Sequence, residues 1–320
     1  MRVAVVVPVS PFESEEILVR SAEHLKSLEY DNFEVKILYV IDRAGKNDRR
    51  KETVEKLGIE VLLRDGRRGK RAGAINDALN YLEKFKPDYI AIFDVDSRPE
   101  RNFITECVRA LEGCEDCYIA SSKRYINNGI NLVSETVEAE YYLLNFLLEK
   151  SSFKQFNGMI GVLRAEWLMK ERLHEWATAE DADYATRMHA KGCKAALVKT
   201  TRIYEQAPLT WTDLYNQRKR WYHGGLQLWR YRKIMRNAHW KVRVSWYMAL
   251  TLTFVPVLYI PLLILAPIFL LYHYRKISKI RVTIGLMAHA VLLQIASISA
   301  LISFIRGRDV EWGAMERVVD

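Results

Sequence analysis

Three short clusters of charged and aromatic residues contain the side chains that could do chemistry. In chain order they are Asp94-Val95-Asp96, Glu180-Asp181 and Gln217-Arg218-Lys219-Arg220-Trp221. The first offers two carboxylates to a divalent metal, Mg²⁺ or Mn²⁺. The second offers a carboxylate that could accept a proton, and the third offers a cation and an indole to a diphosphate and a sugar ring. This combination suits the transfer of a sugar from a nucleotide.

Composition limits the class of protein. The chain has 320 residues, of which 50% are hydrophobic and 27% are charged, so it can form a sizeable core and is not disordered. Its formal net charge of +9 suits a polyanion or an anionic membrane surface. We expect no nucleic-acid partner, because carboxylates at successive strand ends repel phosphate unless a metal intervenes.

The four cysteines favour no metal site. Cys107, Cys114 and Cys117 lie close together and Cys193 lies apart, which raises the alternatives of a zinc or a redox site. No histidine falls at ligand spacing from them. Cysteines also commonly serve as small buried hydrophobes, and this interpretation is preferred.

Residues 2–198 alternate short β-branched runs with amphipathic stretches. This pattern predicts the α/β class, with a Rossmann-like, mostly parallel sheet and helices on both faces. Strands are predicted at 3–9, 35–41, 59–63 and 89–93, and helices at 15–28, 48–57 and 71–82. Ligands of such sheets bind outside the carboxyl ends of the strands. Pro8, Asp42 and Asp94 occupy such positions, so we expect them to line one crevice.

Two local motifs have structural alternatives. Glu180-Asp181 comes just before a helix predicted at 182–191, where Thr178 and Asp181 also fit a capping box. Both roles could coexist, because the cap would orient a base. The basic stretch 66–71 lacks the spacing of a P-loop, yet its glycines and cations ahead of a helix could hold phosphates. Its alternative is a solvated basic turn.

The C-terminal third contains membrane-seeking sequence. Residues 211–240 interleave aromatic and basic side chains, which is typical of an interfacial helix, and 133–148 is a candidate for a second one. Residues 244–274 and 282–305 contain no Asp, Glu, Lys or Arg, and each is long enough to span a bilayer as a helix. Long buried helices of a soluble protein are the alternative. Three prolines leave open a kinked or re-entrant first segment, and four basic residues between the segments leave the topology open.

The order and combination of these motifs resembles the membrane-embedded family 2 glycosyltransferases, the group of cellulose, chitin and hyaluronan synthases. Gln217, Arg220 and Trp221 reproduce the Q-x-x-R-W signature of that family, and Glu180-Asp181 matches its T-E-D element with Ala179 in place of threonine. The resemblance covers residues 1–235. It implies a GT-A fold at 1–205, a Q-x-x-R-W interfacial region at 206–242 and a membrane segment with two transmembrane helices at 243–320.

The resemblance also implies a role for each site residue. Asp181 would be the catalytic base, and Asp94 and Asp96 would hold the metal. The acceptor would contact Gly158, Glu180 and Trp221, with Gly158 in a segment that continues to Arg164. The donor would contact Pro8, Asp42, Lys70, Asp94, Asp96, Gln217, Arg220 and Trp221.

The function implied is an inverting, metal-dependent glycosyltransferase that uses a nucleotide-sugar donor, with UDP as the expected nucleotide. The acceptor would be a glycan or a lipid-linked glycan, and a homo-oligomer is possible. An alternative is a dolichyl- or polyprenyl-phosphate sugar synthase, which adds a single sugar to a lipid phosphate. The N-terminal run lacks the length and cleavage site of a signal peptide, so the catalytic domain is expected on the cytoplasmic face of the cell membrane, in contact with membrane lipids.

Overall fold

The structure, a computed structural model, describes residues 1–310 and 313. The end of the predicted membrane segment, at 311, 312 and 314–320, lies outside the described residues. The chain forms two compact units. Among the described residues, the sheet unit contains 1–123 and 154–204, and the helical unit contains 124–153 and 205–310.

Across the described residues, the sheet has eight strands in the order β3-β2-β1-β4-β7-β6-β8-β5. The strands are β1 (Arg2–Val9), β2 (Glu34–Asp42), β3 (Glu60–Arg64), β4 (Tyr89–Ile92), β5 (Arg98–Pro99), β6 (Cys117–Ile126), β7 (Gly161–Arg164) and β8 (Lys194–Glu205). The first four are parallel, whereas β7 is antiparallel to both β4 and β6, and β5 to β8. The predicted mostly parallel arrangement is confirmed for the N-terminal half.

The strands are stable because both sheet faces are covered. Val3 to Val7 of β1 are fully buried, which explains why that strand is a continuous apolar run instead of an alternating one. The helices of the sheet unit are α1 (Glu15–Lys26), α2 (Arg50–Glu55), α3 (Lys70–Leu82), α4 (Phe103–Glu112), α6 (Ala165–Glu171) and α7 (Glu180–Ala190), and α5 (Leu132–Lys150) belongs to the helical unit. A 3-10 turn lies at Asn157–Met159.

Helix α2 is shorter than the predicted 48–57. The Asp48 carboxylate accepts hydrogen bonds from the N–H groups of Ala44 (2.9 Å) and Arg50 (3.1 Å). Local side-chain to backbone bonds of this kind compete with the helix, so Asp48 holds a turn and the helix begins at Arg50.

The cysteines of the sheet unit are arranged differently from the preferred interpretation. Cys114 and Cys117 form a disulfide, while Cys107 is a buried free thiol. The Cys117 N–H also donates to the Cys114 carbonyl (3.0 Å), so the turn after α4 brings the two residues together. Within the described residues, no cluster of three or more His, Cys, Asp or Glu side chains could hold a metal.

Gly73 is required where α3 passes the preceding loop. A Cβ atom at this position would lie 1.9 Å from the carbonyl oxygen of Arg68, which is backbone and has little freedom to move. We expect Gly73→Ala to lower the free energy of unfolding by about 1–3 kcal/mol, the usual effect of overpacking. Thermal unfolding of the purified protein measures it. Gly45→Ala is the matched control, because its Cβ would have no atom within 4 Å. Equal stability of the two variants would contradict this account.

The helical unit contains five α-helices among the described residues: α5 (Leu132–Lys150), α8 (Trp211–Gln227), α9 (Trp240–Leu252), α10 (Ala266–Tyr274) and α11 (Val282–Ile305). Residues 124–153, placed by the sequence in a domain at 1–205, belong to this unit. The reason is packing, because Val137 and Tyr141 of α5 lie in one apolar cluster with Ala207 and Leu214.

The two apolar segments differ in regularity. The second forms the continuous helix α11, as predicted. The first is broken into α9, a 3-10 helix at Pro256–Leu265 and α10, because prolines remove backbone donors. By length and composition, Pro256–Tyr274 and Ile277–Ile305 are the described segments that could cross a membrane.

Candidate active site

Three predicted site residues lie at one edge of the sheet. Strands β2, β1 and β4 are neighbours and run parallel, so their carboxyl ends meet there. Pro8 is the penultimate residue of β1, Asp42 is the last residue of β2, and Asp94 follows β4 by two residues. This is the position at which open α/β sheets bind ligands.

A tight turn positions the carboxylates that follow β4. The Asp94 N–H donates to Ser97 Oγ (3.1 Å), and the Ser97 N–H donates to the Asp94 carbonyl (3.0 Å). Asp96 is buried, whereas the Asp94 side chain is 36% exposed. The strand exit is therefore also a local hydrogen-bonded turn, and the two roles weighed from the sequence are compatible.

Arg71 joins the separate motifs of the sheet unit. Its Nε donates to Asp94 Oδ1 (3.0 Å), its Nη1 to Glu180 Oε1 (2.8 Å) and its Nη2 to the carbonyl of Gly158. Only 10% of its side chain is exposed. Glu180 lies 109 positions and Gly158 lies 87 positions from Arg71 in the sequence, yet both contact its guanidinium.

The charges around Arg71 are mutually dependent. Burial lowers the pKa of the Arg71 guanidinium, but the carboxylates of Asp94, Glu180 and Asp181 outweigh this and raise the pKa above its usual value. Burial also raises the pKa of the Glu180 carboxyl, and Arg71 opposes this shift while Asp181 adds to it. Arg71 therefore stays charged, and it is the cation that permits carboxylates to gather here.

Asp181 is held by backbone groups. Its Oδ2 accepts hydrogen bonds from the Gly158 N–H (2.6 Å) and from Gln155 Nε2 (3.4 Å), and its Oδ1 accepts one from the Ala182 N–H (2.8 Å). A carboxylate offers about four lone-pair positions, so acceptor capacity remains for a proton. The side chain thus has a fixed orientation near the start of α7.

The start of α7 differs from the capping box weighed as the structural alternative, in which Thr178 would be the N-cap. Helix α7 begins at Glu180 with Ala179 as its N-cap, and Ala179 has no side chain that could cap it. Asp181 lies within the first turn, so its carboxylate turns towards Gly158 instead of the helix N-cap.

Gly158 connects Asp181 with Arg71. Its N–H donates to Asp181 while its carbonyl accepts from Arg71, and its φ of +60° is a conformation that favours glycine. A Cβ atom here would lie 3.3 Å from Asp94 Oδ2 and 3.4 Å from Arg71 Nη2. The local backbone conformation and the close approach of Asp94 and Arg71 therefore explain why a glycine occupies position 158, which the resemblance identified.

A buried ion pair between Asp183 and Arg187 joins helix α7 to the end of α6. Asp183 Oδ2 accepts from Arg187 Nε (3.0 Å) and lies 3.0 Å from His174 Nδ1. Arg187 also donates to the carbonyls of Glu171 (3.1 Å) and Arg172 (2.7 Å) at the end of α6. These contacts hold the helix start that carries Glu180 and Asp181.

Asp42 is paired with a cation that sequence reasoning missed. Arg64, at the end of β3, donates to Asp42 Oδ1 (2.6 Å) and to Asp77 Oδ2 (2.8 Å), and also to the carbonyl of Arg68. Burial raises the pKa of the Asp42 carboxyl, and Arg64, Arg67 and Arg50 oppose that shift only in part. Arg64 therefore fixes both Asp42 and the basic loop.

The chemistry of the residues present fits a hard divalent cation. Asp94 and Asp96 supply carboxylate oxygens, and Arg71 occupies only one oxygen of Asp94. Mg²⁺ typically takes one or two protein carboxylates and completes its coordination with substrate phosphates and water. A pair of carboxylates is thus a sufficient protein contribution when a diphosphate is also bound.

Other predicted residues lie elsewhere. Lys70 is exposed, whereas Arg71 beside it contacts the cluster. Arg164 pairs with Tyr89 at the amino end of β4 and donates to the carbonyls of Leu111 and Cys114, so it does not lie with Gly158 at the carboxyl end. Gln217, Arg220 and Trp221 lie on α8 of the helical unit, where their roles remain predictions.

Arg71 was within reach of the sequence only as one of several cations in the stretch 66–71. Its selection depends on backbone conformation, because Gly69 (φ +63°) and Lys70 (φ +50°) reverse the chain just before the helix. Arg64 had no signal, since a lone arginine at a strand end is usually a solvated surface residue.

Comparison with known proteins extends this picture. The family model described as "Glycosyl transferase family group 2" matches residues 89–298, and the model described as "Glycosyl transferase family 2" matches residues 5–170. The chain belongs to glycosyl transferase family 2. The resemblance stated from the motifs is therefore confirmed at the level of the family.

Similar family 2 proteins include plant enzymes. "Glucomannan 4-beta-mannosyltransferase 7" of Arabidopsis thaliana is 26% identical over 204 residues, which are 61% of this chain and 36% of that protein. "Probable glucomannan 4-beta-mannosyltransferase 4" of Oryza sativa subsp. japonica is 27% identical over 190 residues, 55% of this chain and 33% of that protein. The chain thus matches about a third of the length of these relatives.

Two solved structures show the same fold. A mannosyltransferase, PcManGT from Pyrobaculum calidifontis, in complex with GDP-Man and Mn²⁺, has a TM-score of 0.66 at 16% identity, covering 95% of this chain and 88% of that one. S. aureus TarS 1–349 in complex with UDP has a TM-score of 0.53 at 12% identity, covering 96% and 92%. The predicted GT-A class of this family 2 chain is confirmed.

Proposed function

We propose that this family 2 protein is an inverting, metal-dependent glycosyltransferase that transfers a sugar from a nucleoside diphosphate to an acceptor hydroxyl. The observation that carries the proposal is the meeting of Asp94, Glu180 and the Asp181-bound Gly158 around Arg71, at the carboxyl edge of the sheet. Carboxylates gathered around one buried cation in this way are typical of functional sites.

In the proposed mechanism Asp181 is the general base. It would accept the proton of the acceptor hydroxyl as the oxygen attacks the anomeric carbon from the face opposite the leaving group, which inverts the configuration there. Hydrogen bonds from Gly158 and Ala182 fix the carboxylate, so little reorganisation is needed during proton transfer. Glu180 is poorly suited to this role because Arg71 already occupies its carboxylate.

The opposite end of the reaction needs positive charge. The leaving nucleoside diphosphate gains negative charge as the glycosidic bond breaks, and a divalent cation held by Asp94 and Asp96 would stabilise it. Arg71 would position Asp94 for that cation through the 3.0 Å contact between Nε and Oδ1. Asp42 and Pro8, at neighbouring strand ends, would contact the nucleotide, and Arg64 would fix Asp42 for that purpose.

For the donor, we propose a sugar nucleotide whose sugar is mannose. The support is that the similar plant proteins are named mannosyltransferases and that a structure with the same fold contains GDP-Man. GDP-mannose is therefore the first donor to assay, beside the UDP-sugars that the family resemblance implies. For the acceptor, we propose a glycan or a lipid-linked glycan.

We also propose attachment to the cytoplasmic face of the cell membrane. The support is the number of large apolar side chains left exposed in the helical unit. Leu258 is 69% exposed, Ile264 74% and Tyr272 83%, all within one of the two segments apolar enough for a membrane. Such a patch on a protein surface marks an interaction with lipid or with another protein.

Donor turnover tests the proposal. Membranes containing the chain should release nucleoside diphosphate from GDP-mannose or a UDP-sugar when Mn²⁺ or Mg²⁺ is present. Removal of metal with EDTA should lower this rate by at least about 10²-fold, because the charge on the leaving group is then unopposed, and excess Mn²⁺ should restore it. No turnover of any donor with either metal would contradict the function, and EDTA-resistant turnover would contradict the metal dependence alone.

Product length separates the two acceptor classes. A ladder of products on a gel indicates repeated addition to a glycan, whereas a single addition to an organic-soluble product indicates a polyprenyl-phosphate sugar synthase. Both outcomes retain the proposed metal site, but a phosphate acceptor is already ionised and would not need Asp181 as a base.

A further inference from the structure

Helix α11 has two opposite faces of different character. Apolar side chains spaced three or four residues apart are exposed along its whole length: Ile284, Met287, Val291, Ile295, Ile298, Ile302 and Ile305. At 100° per residue these positions form a single stripe. The buried residues, among them His289, Ala296 and Ala300, lie on the opposite side. The helix is therefore covered on one face only.

Helix α5 covers the first half of the buried face. A Cβ atom on Gly285 would lie 2.0 Å from Thr136 Oγ1, so the two backbones approach closely there. One turn later, Glu140 Oε2 lies 3.9 Å from His289 Nε2, and Leu292 packs on the cluster that contains Tyr141. Both helices advance about one turn between these contacts, so they run side by side in the same direction.

Helix α8 covers the second half. Trp211 and Leu292 pack on one apolar cluster, and beside it Trp211 and Tyr215 line a cavity of about 440 Å³ that reaches Val291 and Ile295 at the edge of the stripe. Twelve residues after Trp211 along α8, the ring centroid of His223 lies 5.7 Å from that of Phe304 near the end of α11. Helix α8 thus accompanies α11 from its middle to its end.

These neighbours carry charge alongside a part of α11 that would lie within the bilayer if the helix crossed it. Arg218 is paired with Glu140 and stacks on the Trp221 ring at 4.0 Å, and the partly exposed Lys219 and Arg220 follow it on α8. If α11 crossed the membrane, α8 would carry these side chains into the hydrocarbon, where charged groups are costly. The sequence prediction that 282–305 is a transmembrane helix therefore conflicts with the packing of that helix.

We propose that α11 lies along the surface of the bilayer and does not cross it, with its exposed stripe immersed in one leaflet and α5 and α8 on the other side. This inference rests on the proposed membrane attachment and specifies its geometry. Both ends of the helix are then on the same side of the membrane.

The basic residues on either side of α11 indicate the charge of the lipid headgroups that it would contact. Arg275 and Lys276 precede the helix and Arg306 and Arg308 follow it, and all four are exposed. A spanning helix would place the two pairs on opposite faces of the membrane, whereas a surface helix places both at the headgroups of one leaflet. That arrangement suits anionic lipids, each basic residue adding to the attraction.

Cysteine labelling from each side tests the orientation. Single cysteines are introduced at exposed positions at the two ends, Ser278→Cys and Asp309→Cys, and in the middle of the stripe, Ile295→Cys. The parent is Cys193→Ser, which removes the more accessible free thiol while the buried Cys107 remains, and it measures the background. A membrane-impermeant maleimide is added, without reductant, to spheroplasts and to sealed inverted vesicles.

The expected result is that both end positions react in the same preparation, and that Ile295→Cys reacts only after detergent is added. Reaction of the two ends in opposite preparations would overturn the inference while leaving membrane attachment intact. Reaction of Ile295→Cys without detergent would also overturn it, because the stripe would then face water. Recovery of the protein in the soluble fraction would instead contradict the membrane attachment itself. Donor turnover is measured in a separate assay, so the proposed function is tested independently of these labelling and fractionation outcomes.

Discussion

Asp181→Asn should lower turnover by about 10²- to 10⁴-fold while binding of the sugar nucleotide survives. The asparagine side chain has nearly the same shape and can still accept the hydrogen bond from Gly158, which Asp181 accepts at 2.6 Å. It cannot take up a proton at neutral pH. The expected loss is therefore in the chemical step, and not in the folding of the loop around Gly158.

Single-turnover kinetics with donor and acceptor measure the rate of that step, and isothermal titration with donor and Mn²⁺ measures binding. Asp116→Asn is the control, since that carboxylate is 64% exposed and pairs with Lys194 at the surface. Unchanged turnover in purified, metal-loaded Asp181→Asn would remove this residue from the role of base. A matching loss in Asp116→Asn would point to a general effect of charge.

Arg71→Lys should lower turnover by about 10- to 100-fold with only a small change in stability. Lysine keeps the charge, but a single ammonium group cannot reproduce the fork that contacts Asp94, Glu180 and the Gly158 carbonyl together. Displacement of a catalytic group by about 1 Å can cost 10²-fold in rate. The effect should appear in both donor KM and kcat. Arg71 contacts Asp94, a proposed metal ligand, and it also contacts the carbonyl of Gly158, whose N–H donates to the proposed base Asp181.

Comparison with Arg71→Met separates position from charge. Loss of the cation leaves the buried Glu180 without its partner, so the free energy of unfolding should fall by roughly 3–5 kcal/mol. Thermal unfolding of both variants distinguishes the two effects. Arg172→Lys, on a half-exposed arginine that binds Asn80 and Glu83, is the control for the arginine-to-lysine change. Equal activity of Arg71→Lys and the unchanged protein would show that Arg71 is only a structural counter-ion.

Local patterns predicted the parallel part of the sheet. A strand buried on both faces reads as a continuous apolar run, as β1 does, and its end is marked by a change to polar residues. The positions of Pro8, Asp42 and Asp94 at the carboxyl edge followed from that pattern. Strand β7 is antiparallel to both β4 and β6, and β8 is antiparallel to β5, and these strands gave no comparable local signal.

Motif spacing predicted the family but not the contacts within the site. Q-x-x-R-W, D-x-D and E-D are short, and the types of residue they require are visible without any structure. Which partner each carboxylate has depends on chain segments far apart in sequence, as for Asp42 with Arg64 and for Glu180 with Arg71.

The amino-acid sequence by itself determined the family, the α/β alternation, the carboxylates available for a metal and a proton, and the two apolar segments. Each of these is a property of residue type and short-range spacing. The tertiary structure alone decided that Arg71 and not Lys70 meets the carboxylates, that Gly158 fixes Asp181, and that α5 joins the helical unit. These depend on backbone turns at Gly69 and Lys70 and on packing between distant segments, which no local pattern encodes.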